Sequence, residues 1–421
     1  MRLIIALYAS FVAGALAASK PGDGHWVDIW TAMPQLTEST NLPNPPFNGT
    51  TGVFRDATIR QTLHMGLNAS FIRLRISNAF GTSSLGVTAV TLAKPSPPVS
   101  GASAIDASTL QNLTFSGSPS FSIPDGALLV SDPVEFAVHA SDTISVSMFL
   151  ANGQDGFDVT SHPGSRATSW VVPGDATKAE NLTGSSVQNV AHWYFLSAVE
   201  AWVPKTSRAF AVVGDSITDG RGSDTDGNDR RDRMRARAST ADIAVVNQAA
   251  GGNRILADGL GPNALGRIDR DVLAHSGVRY AMIFEGVNDI GVAATDNASQ
   301  TAIGDELLIA FRQISARVHA VGIPLFAATI TPFGGNSPGY ADPTRELTRQ
   351  RVNAFIRSSP AFDAVIDFDK VVADPADPTR LAPQFDSGDG LHPNVAGYTA
   401  MAAVFDLSLF ERFENGVSVF V

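Results

Sequence analysis

The sequence of 421 residues contains no cysteine. This absence excludes catalysis by a thiol, disulfide bonds and zinc sites built from thiolates. Without disulfides, the stability of the fold depends on a buried core, which a chain of this length can form. Hydrophobic residues make up 44% of the sequence and charged residues 17%, which is ordinary for a globular protein.

Positive charge is also scarce. The chain has 30 Lys and Arg against 41 Asp and Glu, which gives a formal net charge of −11 at pH 7. Nucleic acids and anionic membranes are bound by basic surfaces, so the acidic balance predicts neither of them as a partner. It leaves neutral sugars and esters open as ligands. Nothing in the sequence indicates the oligomeric state.

Long apolar runs are absent except near the N-terminus. There, residues 3–13 form an apolar stretch that follows the positive Arg2 and precedes an A-x-A site at residues 15–17. This pattern predicts a secretory signal peptide over residues 1–18. No other stretch reaches the ~18 apolar residues of a membrane-spanning helix. We therefore expect a secreted, extracellular protein that has no membrane segment after signal cleavage.

Five N-x-S/T sequons occur beyond the signal sequence. In a protein of the secretory pathway, such sequons predict surface N-glycosylation, although the sequence does not tell which of them are used. They begin at Asn48, Asn68, Asn112, Asn181 and Asn297.

The apolar periodicity changes near residue 204. Between residues 19 and 204, short segments such as 57–64 and 70–77 alternate apolar and polar side chains, and clusters of Gly, Pro, Ser and Asn separate them. Further strands are predicted at residues 87–92, 121–123, 143–150 and 192–201. Short strands separated by turn residues are typical of an antiparallel, β-sandwich-like domain.

From residue 205 to residue 421, apolar runs alternate with helical segments. Each run can form a strand that is buried on both faces of a parallel sheet. The runs lie at residues 209–213, 243–246, 280–284, 324–330 and 364–368. Helices are predicted at residues 301–321, 345–357 and 395–413. Alternation of strands and helices predicts a three-layer α/β/α domain.

Four short segments of this second half carry candidate catalytic residues. They are Gly214-Asp215-Ser216-Ile217, Gly251-Gly252-Asn253, Gly286-Val287-Asn288-Asp289 and Asp389-Gly390-Leu391-His392-Pro393. Ser216 follows the first predicted strand of the α/β domain, and open α/β sheets bind ligands at the carboxyl ends of their strands. Asp389 precedes His392 by three residues, so one loop can hold both the imidazole and the carboxylate that orients it.

Two other serine-hydrolase arrangements do not fit the sequence. An α/β-hydrolase has a G-x-S-x-G turn at its nucleophile, but here Thr218 stands where the second glycine belongs. A chymotrypsin-like site has its His and Asp before the Ser in the chain, whereas both candidates follow Ser216 here.

The four segments, in this order, resemble the four blocks of the SGNH hydrolases, also called GDSL-type esterases and lipases. The residues that match the blocks are Ser216, Gly252, Asn288 and His392. The resemblance spans residues 208–409 and implies an SGNH-hydrolase domain over residues 205–421. The segment at residues 73–81 looks like the β-domain that precedes some secreted members of this family.

The resemblance implies a role for each matching residue. Ser216 is the expected nucleophile, His392 the general base and acid, and Asp389 the carboxylate that holds the imidazole. The backbone N–H groups of Ser216 and Gly252 and the side-chain amide of Asn288 are expected to form the oxyanion hole. Such a site needs neither a cofactor nor a metal ion.

The other polar residues near these segments have plainer interpretations. Asp215 and Asp289 are interpreted as residues that brace loops. Arg254, Arg267 and Asp271 either shape the pocket or belong to a solvated helix face. The remaining histidines have no catalytic spacing and are interpreted as structural or surface residues: His25, His64, His139, His162, His192, His275 and His319.

One segment departs from the family pattern. After Gly220-Arg221-Gly222, related proteins usually carry an aromatic-Pro pair, whereas this chain has a charge-dense run at residues 228–235. The departure leaves the substrate entrance open to question but does not affect the triad. A calcium loop starting at Asp224 is excluded because Asp229 and Arg235 occupy the positions that require Gly and Glu.

Together these features lead us to expect a secreted serine esterase that acts on an ester substrate. We expect it to remove acetyl or other short acyl groups from plant cell-wall polysaccharide. Candidate sugar-stacking aromatics in the β-domain are Trp26, Trp30, Trp170 and Trp193, although core packing explains such residues as well. Two alternatives stay open: a lipase or aryl esterase that acts on small or lipidic esters, and a non-catalytic carbohydrate-binding protein.

Overall fold

The computed structural model describes residues 22–227, 240–335 and 339–419. The predicted signal peptide lies outside the described residues, and so does the charge-dense run at residues 228–235. Among the helices that are described, none combines the length and the apolar character needed to cross a membrane.

The N-terminal half consists of antiparallel strands, as the turn-separated pattern predicts. The strands are β1 (His25–Thr31), β2 (Gln35–Leu36), β3 (Gly52–Val53), β4 (Ala57–His64), β5 (Ala69–Ser77), β6 (Leu85–Val87), β7 (Ala89–Pro95), β8 (Ile105–Asn112), β9 (Phe121–Ile123), β10 (Leu128–Val130), β11 (Val134–Val138), β12 (Thr143–Leu150), β13 (Gln154–Asp155), β14 (Thr160–His162), β15 (Ser169–Pro173), β16 (Gln188–Val190), β17 (Trp193–Tyr194) and β18 (Leu196–Val203). A single 3-10 turn, Ser39–Asn41, follows β2.

Two larger sheets dominate this half. One has the order β1-β18-β5-β10, with β11 also paired to β5, and the other has the order β16-β15-β4-β12-β7-β8. Alternation in β5 buries Ile72, Leu74 and Ile76. These side chains share one hydrophobic core with Ile59 of β4 and Val146 of β12, which gives the half its β-sandwich-like character.

The strand predicted at residues 57–64 is confirmed, but its alternating polar residues do not form an exposed face. In β4 the polar residues Thr58, Arg60 and Thr62 are buried together with their apolar neighbours. The loop after β15 covers the second face of the strand, where the Arg60 guanidinium donates to Ala179 O at 2.7 Å, to Ser103 O at 2.7 Å and to Ser147 Oγ at 2.8 Å. Because each buried donor has an acceptor, polar side chains are tolerated on that face.

The C-terminal half contains a parallel sheet whose strand order is β20-β19-β21-β22-β23. Its strands are β19 (Arg208–Gly214), β20 (Ile243–Ala249), β21 (Val278–Phe284), β22 (Leu325–Ala328) and β23 (Ala364–Ile366). Burial is nearly continuous along β19, β21 and β22, as expected for strands that are covered on both faces of a parallel sheet. This arrangement confirms the predicted α/β class.

Helices connect these strands. They are α1 (Ser216–Asp219), α2 (Ala264–Ile268), which continues into a π-helical turn (Asp269–Leu273), α3 (Val287–Val292), α4 (Asn297–His319), α5 (Pro343–Ser358), α6 (Phe368–Val372), α7 (Val395–Val404) and α8 (Leu409–Arg412). The single helix predicted over residues 395–413 is wrong, because the chain leaves the helical path at Phe405 and re-forms a helix only at Leu409.

The two halves are joined by buried charged groups. Asp28 and Glu200 face each other on β1 and β18 and are fully buried. The Asp28 carboxylate accepts hydrogen bonds from Ser276 N at 2.8 Å and from His275 Nδ1 at 2.7 Å, both on the C-terminal half. Arg75 bonds Glu200 at 2.9 Å. The predicted domain boundary at residue 204 lies between β18 and β19 and remains a prediction.

Replacing Asp28 with alanine should destabilise the protein strongly. The change leaves the amide of Ser276 and the ring of His275 without their acceptor in a buried site, so we expect a loss of about 3 kcal/mol in the free energy of unfolding. Urea unfolding measures this loss. The control is Asp155→Ala, which removes an ion pair with Arg55 whose side chains are 47% and 73% exposed and should cost under about 1 kcal/mol. Equal losses for the two variants would contradict the expectation.

Candidate active site

The candidate nucleophile begins a short helix at the carboxyl end of β19. Asp215 is the residue before that helix, and its carboxylate accepts a hydrogen bond from Ile217 N at 2.9 Å. Ser216 is therefore held at the N-terminus of α1 and is buried there. Gly214 allows this tight turn, since a Cβ there would lie 2.2 Å from Thr218 Oγ1. The loop-bracing role predicted for Asp215 agrees with this geometry.

His392 lies opposite Ser216, although 176 positions separate them in the chain. The distance from Ser216 Oγ to His392 Nε2 is 2.8 Å, and the distance from His392 Nδ1 to Asp389 Oδ2 is 2.6 Å. The three candidates for the triad are thus brought together in the expected sequence of contacts.

The loop between α6 and α7 holds Asp389 in place through its own backbone. Asp389 Oδ1 accepts hydrogen bonds from Leu391 N at 3.0 Å and from His392 N at 2.8 Å. A carboxylate that bonds amides two and three residues ahead stabilises a tight turn. Its second oxygen, Oδ2, remains for the imidazole.

The electrostatics of this pair favour a neutral base and an ionised acid. Partial burial of Asp389 opposes ionisation, but the hydrogen bonds from the amide and the ring of His392 lower the pKa of Asp389 to about 2. Burial is the main cause that lowers the pKa of His392, and the positive charges of Arg221 and Arg166 act in the same direction. The imidazole is therefore able to accept a proton near neutral pH.

The residues predicted for the oxyanion hole lie on three segments that are hydrogen-bonded to one another: the start of α1, the loop after β20 and the first turn of α3. Ala250 N donates to Gly214 O at 3.1 Å, which brings the loop after β20 beside the nucleophile. Asn288, in the first turn of α3, donates from Nδ2 to Asn253 O at 2.8 Å. Gly252 adopts a φ of +69°, a conformation that favours glycine.

Asp289 fastens the loop after β20 to the first turn of α3, as expected of a bracing residue. Its carboxylate accepts hydrogen bonds from Ile255 N and Leu256 N, each at 2.9 Å. The segment after Gly252 therefore cannot move independently of the helix that carries Asn288.

Part of the chain that carries these residues matches a known family. Residues 212–400 match the family model described as the GDSL-like lipase/acylhydrolase family. This part of the chain is thus similar to GDSL-like lipases and acylhydrolases. No curated protein matches the sequence.

Several solved structures align with about half of this chain. A GDSL-like lipase from Bacteroides thetaiotaomicron is 16% identical and aligns over 49% of this chain and 89% of its own, with a TM-score of 0.36. An acetyl xylan esterase from Geobacillus stearothermophilus is 23% identical and aligns over 47% of this chain and 92% of its own, with a TM-score of 0.35. A putative acylhydrolase from Bacteroides fragilis is 18% identical over 49% and 88%, with a TM-score of 0.36.

Arg267 lies beneath the loops that carry the candidate catalytic residues and not on a solvated helix face. It is 3% exposed and donates to Asn253 Oδ1 at 2.8 Å, to Gln248 O at 2.6 Å and to Gly214 O at 3.3 Å. Asp271, also buried, pairs with it at 2.9 Å. Of the two interpretations left open by the sequence, the structure favours the one in which these residues shape the site.

A cluster of buried carboxyl groups surrounds Arg267. Burial raises the pKa of Asp215 to about 7 and that of Asp289 to about 6. Burial also raises the pKa of Glu285 well above its usual value, against the attraction of Arg267, whose Nη2 lies 3.7 Å away. Sequence analysis missed Glu285, although its position directly before the Gly286-Val287-Asn288-Asp289 segment could have drawn attention to it.

The N-terminal half reaches the site through His162. Its Nε2 lies 3.0 Å from Asp219 Oδ1, at the end of the helix that Ser216 begins, and its Nδ1 lies 3.1 Å from Met33 O. Both partners can only accept hydrogen bonds, so the imidazole must carry a proton on each nitrogen. His162 is thus a buried structural histidine, one of the two outcomes that the sequence left open.

The other predicted histidines and aromatics lie away from this chemistry. His25 bonds Ser207 O, His192 bonds Pro163 O, and His319 bonds Asp363, whereas His139 is on the surface. Among the candidate sugar-stacking residues, Trp30 and Trp193 are buried and pack edge to face, so they belong to the core. Trp26 and Trp170 are only partly buried.

The loop that begins at Asp224 contacts the N-terminal half through Asp226. The carboxylate of Asp226 accepts hydrogen bonds from Thr168 N and Thr168 Oγ1, each at 2.7 Å. Asp226 therefore ties this loop to the N-terminal half. Within the described ranges, no group of three His, Cys, Asp or Glu side chains is arranged to hold a metal ion.

The His162–Asp219 pair should stabilise the fold more at low pH than at high pH. Burial alone would lower the pKa of His162, but the charge and the hydrogen bond of Asp219 raise it above 6.5. The contribution of the pair is then complete below about pH 6.5 and is lost as the pH rises through the folded-state pKa. We expect His162→Gln to cost about 3 kcal/mol at pH 6 and less at pH 9.

Urea unfolding of the wild type and the variant at both pH values measures this difference. His139→Gln is the matched control, because His139 faces the same kind of partner, Asp142, with a side chain that is 74% exposed. An equal cost of His162→Gln at pH 6 and pH 9 would show that the ion pair does not contribute through its charge.

Proposed function

We propose that this protein is a serine esterase that hydrolyses carboxylic esters through an acyl-enzyme intermediate. The observation that carries the proposal is the chain of contacts from Ser216 Oγ to His392 Nε2 at 2.8 Å and from His392 Nδ1 to Asp389 Oδ2 at 2.6 Å. A hydroxyl, a neutral imidazole and an ionised carboxylate in this order form a system for nucleophilic acyl transfer.

In the first half of the reaction, Ser216 Oγ attacks the ester carbonyl while its proton passes to His392 Nε2. Asp389 stabilises the imidazolium that forms, and His392 then returns the proton to the departing alkoxide. The alcohol leaves, and the acyl group remains bonded to Ser216. In the second half, His392 takes a proton from water, the resulting hydroxide attacks the acyl-enzyme, and the proton returns to Ser216 as the acid departs.

The negative charge of each tetrahedral intermediate requires donors that are already in place. The N–H groups of Ser216 and Gly252 and the second N–H of the Asn288 amide are the proposed donors. Loss of one such donor typically costs about 3 kcal/mol of transition-state stabilisation. Hydrogen bonds from the amides of Ile255 and Leu256 to the Asp289 carboxylate support this role, because they fix the loop against the helix that carries Asn288.

We further propose that the substrate is an acylated plant cell-wall polysaccharide and that the protein is secreted. The predicted signal peptide supports secretion. Two features support a carbohydrate substrate. The N-terminal half contacts the helix that begins at Ser216 through His162. It also keeps Trp170 partly exposed on β15, a few residues after His162 in the chain. Aromatic faces of this kind bind the apolar faces of sugar rings.

The test compares acetate release from acetylated xylan with hydrolysis of p-nitrophenyl esters of increasing chain length. Activity on xylan together with a preference for acetyl over longer chains supports the proposal. A profile that peaks at long acyl chains would favour a lipase, and hydrolysis of small aryl esters alone would favour an aryl esterase. Ser216→Ala should lower kcat by at least about 10³-fold on every substrate.

Binding of Ser216→Ala to the acetylated polysaccharide should persist, since the substitution removes only the nucleophile. If the wild type and Ser216→Ala behave alike in all hydrolysis assays while both bind the polysaccharide, the protein is a carbohydrate-binding protein and the proposed esterase activity is wrong.

The pH dependence of kcat/KM should show an acid limb whose midpoint lies below pH 6.5. His392 must be neutral to accept the proton, and its pKa is lowered by burial and by the charges of Arg221 and Arg166. Asp389, with a pKa of about 2, stays ionised throughout this range. Arg166→Gln removes one positive charge and should move the midpoint to higher pH. Arg55→Gln is the surface control, and a midpoint that moves equally in both variants would contradict this assignment.

A further inference from the structure

Tyr340 is a residue for which the sequence offers no signal, yet its hydroxyl reaches the proposed oxyanion hole. Tyr340 Oη donates to Asn288 Oδ1 at 2.8 Å. We infer that Tyr340 is a positioning residue that holds the Asn288 amide in the orientation needed to stabilise the oxyanion. The inference rests on the proposed esterase function and deepens it.

The contacts of Asn288 determine which end of its amide is the nitrogen. The carbonyl of Asn253 can only accept a hydrogen bond, so the atom 2.8 Å from it must be Nδ2. The other end is therefore Oδ1, and the hydroxyl of Tyr340 donates to it. One N–H of Nδ2 is used by Asn253, which leaves the second as the donor for the reaction.

The bond from Tyr340 acts on the orientation of this donor. An amide that is tied only through Nδ2 can rotate about its χ2 axis and even flip. A flip would place the amide oxygen against the Asn253 carbonyl and remove the donor from the oxyanion. With Tyr340 bonded to Oδ1, both ends of the planar group are fixed, which is the preorganisation that such a donor needs.

The α3 helix is shaped to receive the tyrosine ring. Gly291 lies three residues after Asn288 and therefore on the same side of the helix. A Cβ at Gly291 would lie 2.1 Å from Tyr340 Cε1, so only glycine lets the ring lie against this turn. The edge of Phe333 packs against the ring at a centroid distance of 6.3 Å.

The backbone of Tyr340 is fastened to the end of the same helix. Arg345 Nη2 donates to Ala293 O at 2.7 Å, and its Nη1 bonds the carbonyl of Gly339. Arg345 thus joins the residue before Tyr340 to the residue after α3. Burial raises the pKa of Tyr340, and the negative charge of Asp215 acts in the same direction, so the hydroxyl keeps its proton at the pH of the reaction.

The first experiment measures kcat and KM of the full chain carrying Tyr340→Phe, with p-nitrophenyl acetate as substrate. We expect kcat to fall about tenfold, as for the loss of one hydrogen bond, and KM to stay within about twofold, because the donor acts mainly in the transition state. Tyr280→Phe is the matched control: the Tyr280 hydroxyl donates to Phe410 O in the core, so its loss should lower Tm and leave kcat unchanged.

A double-mutant cycle with Asn288→Ala tests whether Tyr340 acts through Asn288. Asn288→Ala alone should lower kcat by about 10²- to 10³-fold. In that background Tyr340→Phe should change kcat by less than about twofold, since there is no amide left to orient. Gly291→Ala provides a second route, because it displaces the ring but keeps the hydroxyl. It should lower kcat to a similar extent and add no further loss to Tyr340→Phe.

The outcomes separate the two proposals. If the wild type hydrolyses no ester, the proposed function is wrong. If the wild type is active and Tyr340→Phe keeps the wild-type kcat, or lowers it equally with and without Asn288, the positioning role is wrong and the esterase function stands. A non-additive loss in kcat at constant KM, absent from Tyr280→Phe, supports the positioning role.

Discussion

The proposed chemistry depends on how one carboxylate is divided between two tasks. Asp389 Oδ1 accepts the amides of Leu391 and His392 and thereby closes the loop, which leaves Oδ2 for the imidazole. Because Nδ1 of the ring then carries the proton, Nε2 presents its lone pair to Ser216. A single side chain thus sets the shape of the loop, the tautomer of the base and the direction of proton transfer.

Sheet topology supplies the other half of the arrangement. β20, β19 and β21 are neighbours, so the segments that follow their carboxyl ends meet at one edge, although they are far apart in the chain. Asp215 and Asp289 then fix the local geometry by accepting backbone amides. Burial raises the pKa values of both residues, so the bracing is obtained at a cost in electrostatic stability. Such a cost is typical of a preorganised site.

Local patterns in the sequence were sufficient to predict the fold class, the strands of the parallel sheet and the family of the second half. Such patterns report burial and turns, which depend on nearby residues. The break between α7 and α8 was not predicted, because the apolar residues around Phe405 fit a continuous helix. The burial of both faces of β4 was missed for a related reason, since a loop that is distant in sequence covers Arg60.

Contacts between distant loops were beyond the reach of these patterns. Nothing in the sequence pairs Tyr340 with Asn288, His162 with Asp219 or Arg267 with Gly214, because each pair forms only when separate loops meet at the sheet edge. The motifs identify candidates for the reacting groups. The residues that orient those groups become visible only in three dimensions, and the catalytic roles themselves remain predictions.

Buried charge at the junction of the two halves bears on how the N-terminal half can contribute to the site. Asp28, Glu200 and the His162–Asp219 pair are all removed from solvent there. Buried ion pairs add little net stability, but any displacement that separates the partners is costly, because it leaves a charge without compensation. The two halves therefore have one strongly preferred position relative to each other. His162 is tied to the helix that Ser216 begins, so the N-terminal half is held against that helix by a buried charged contact.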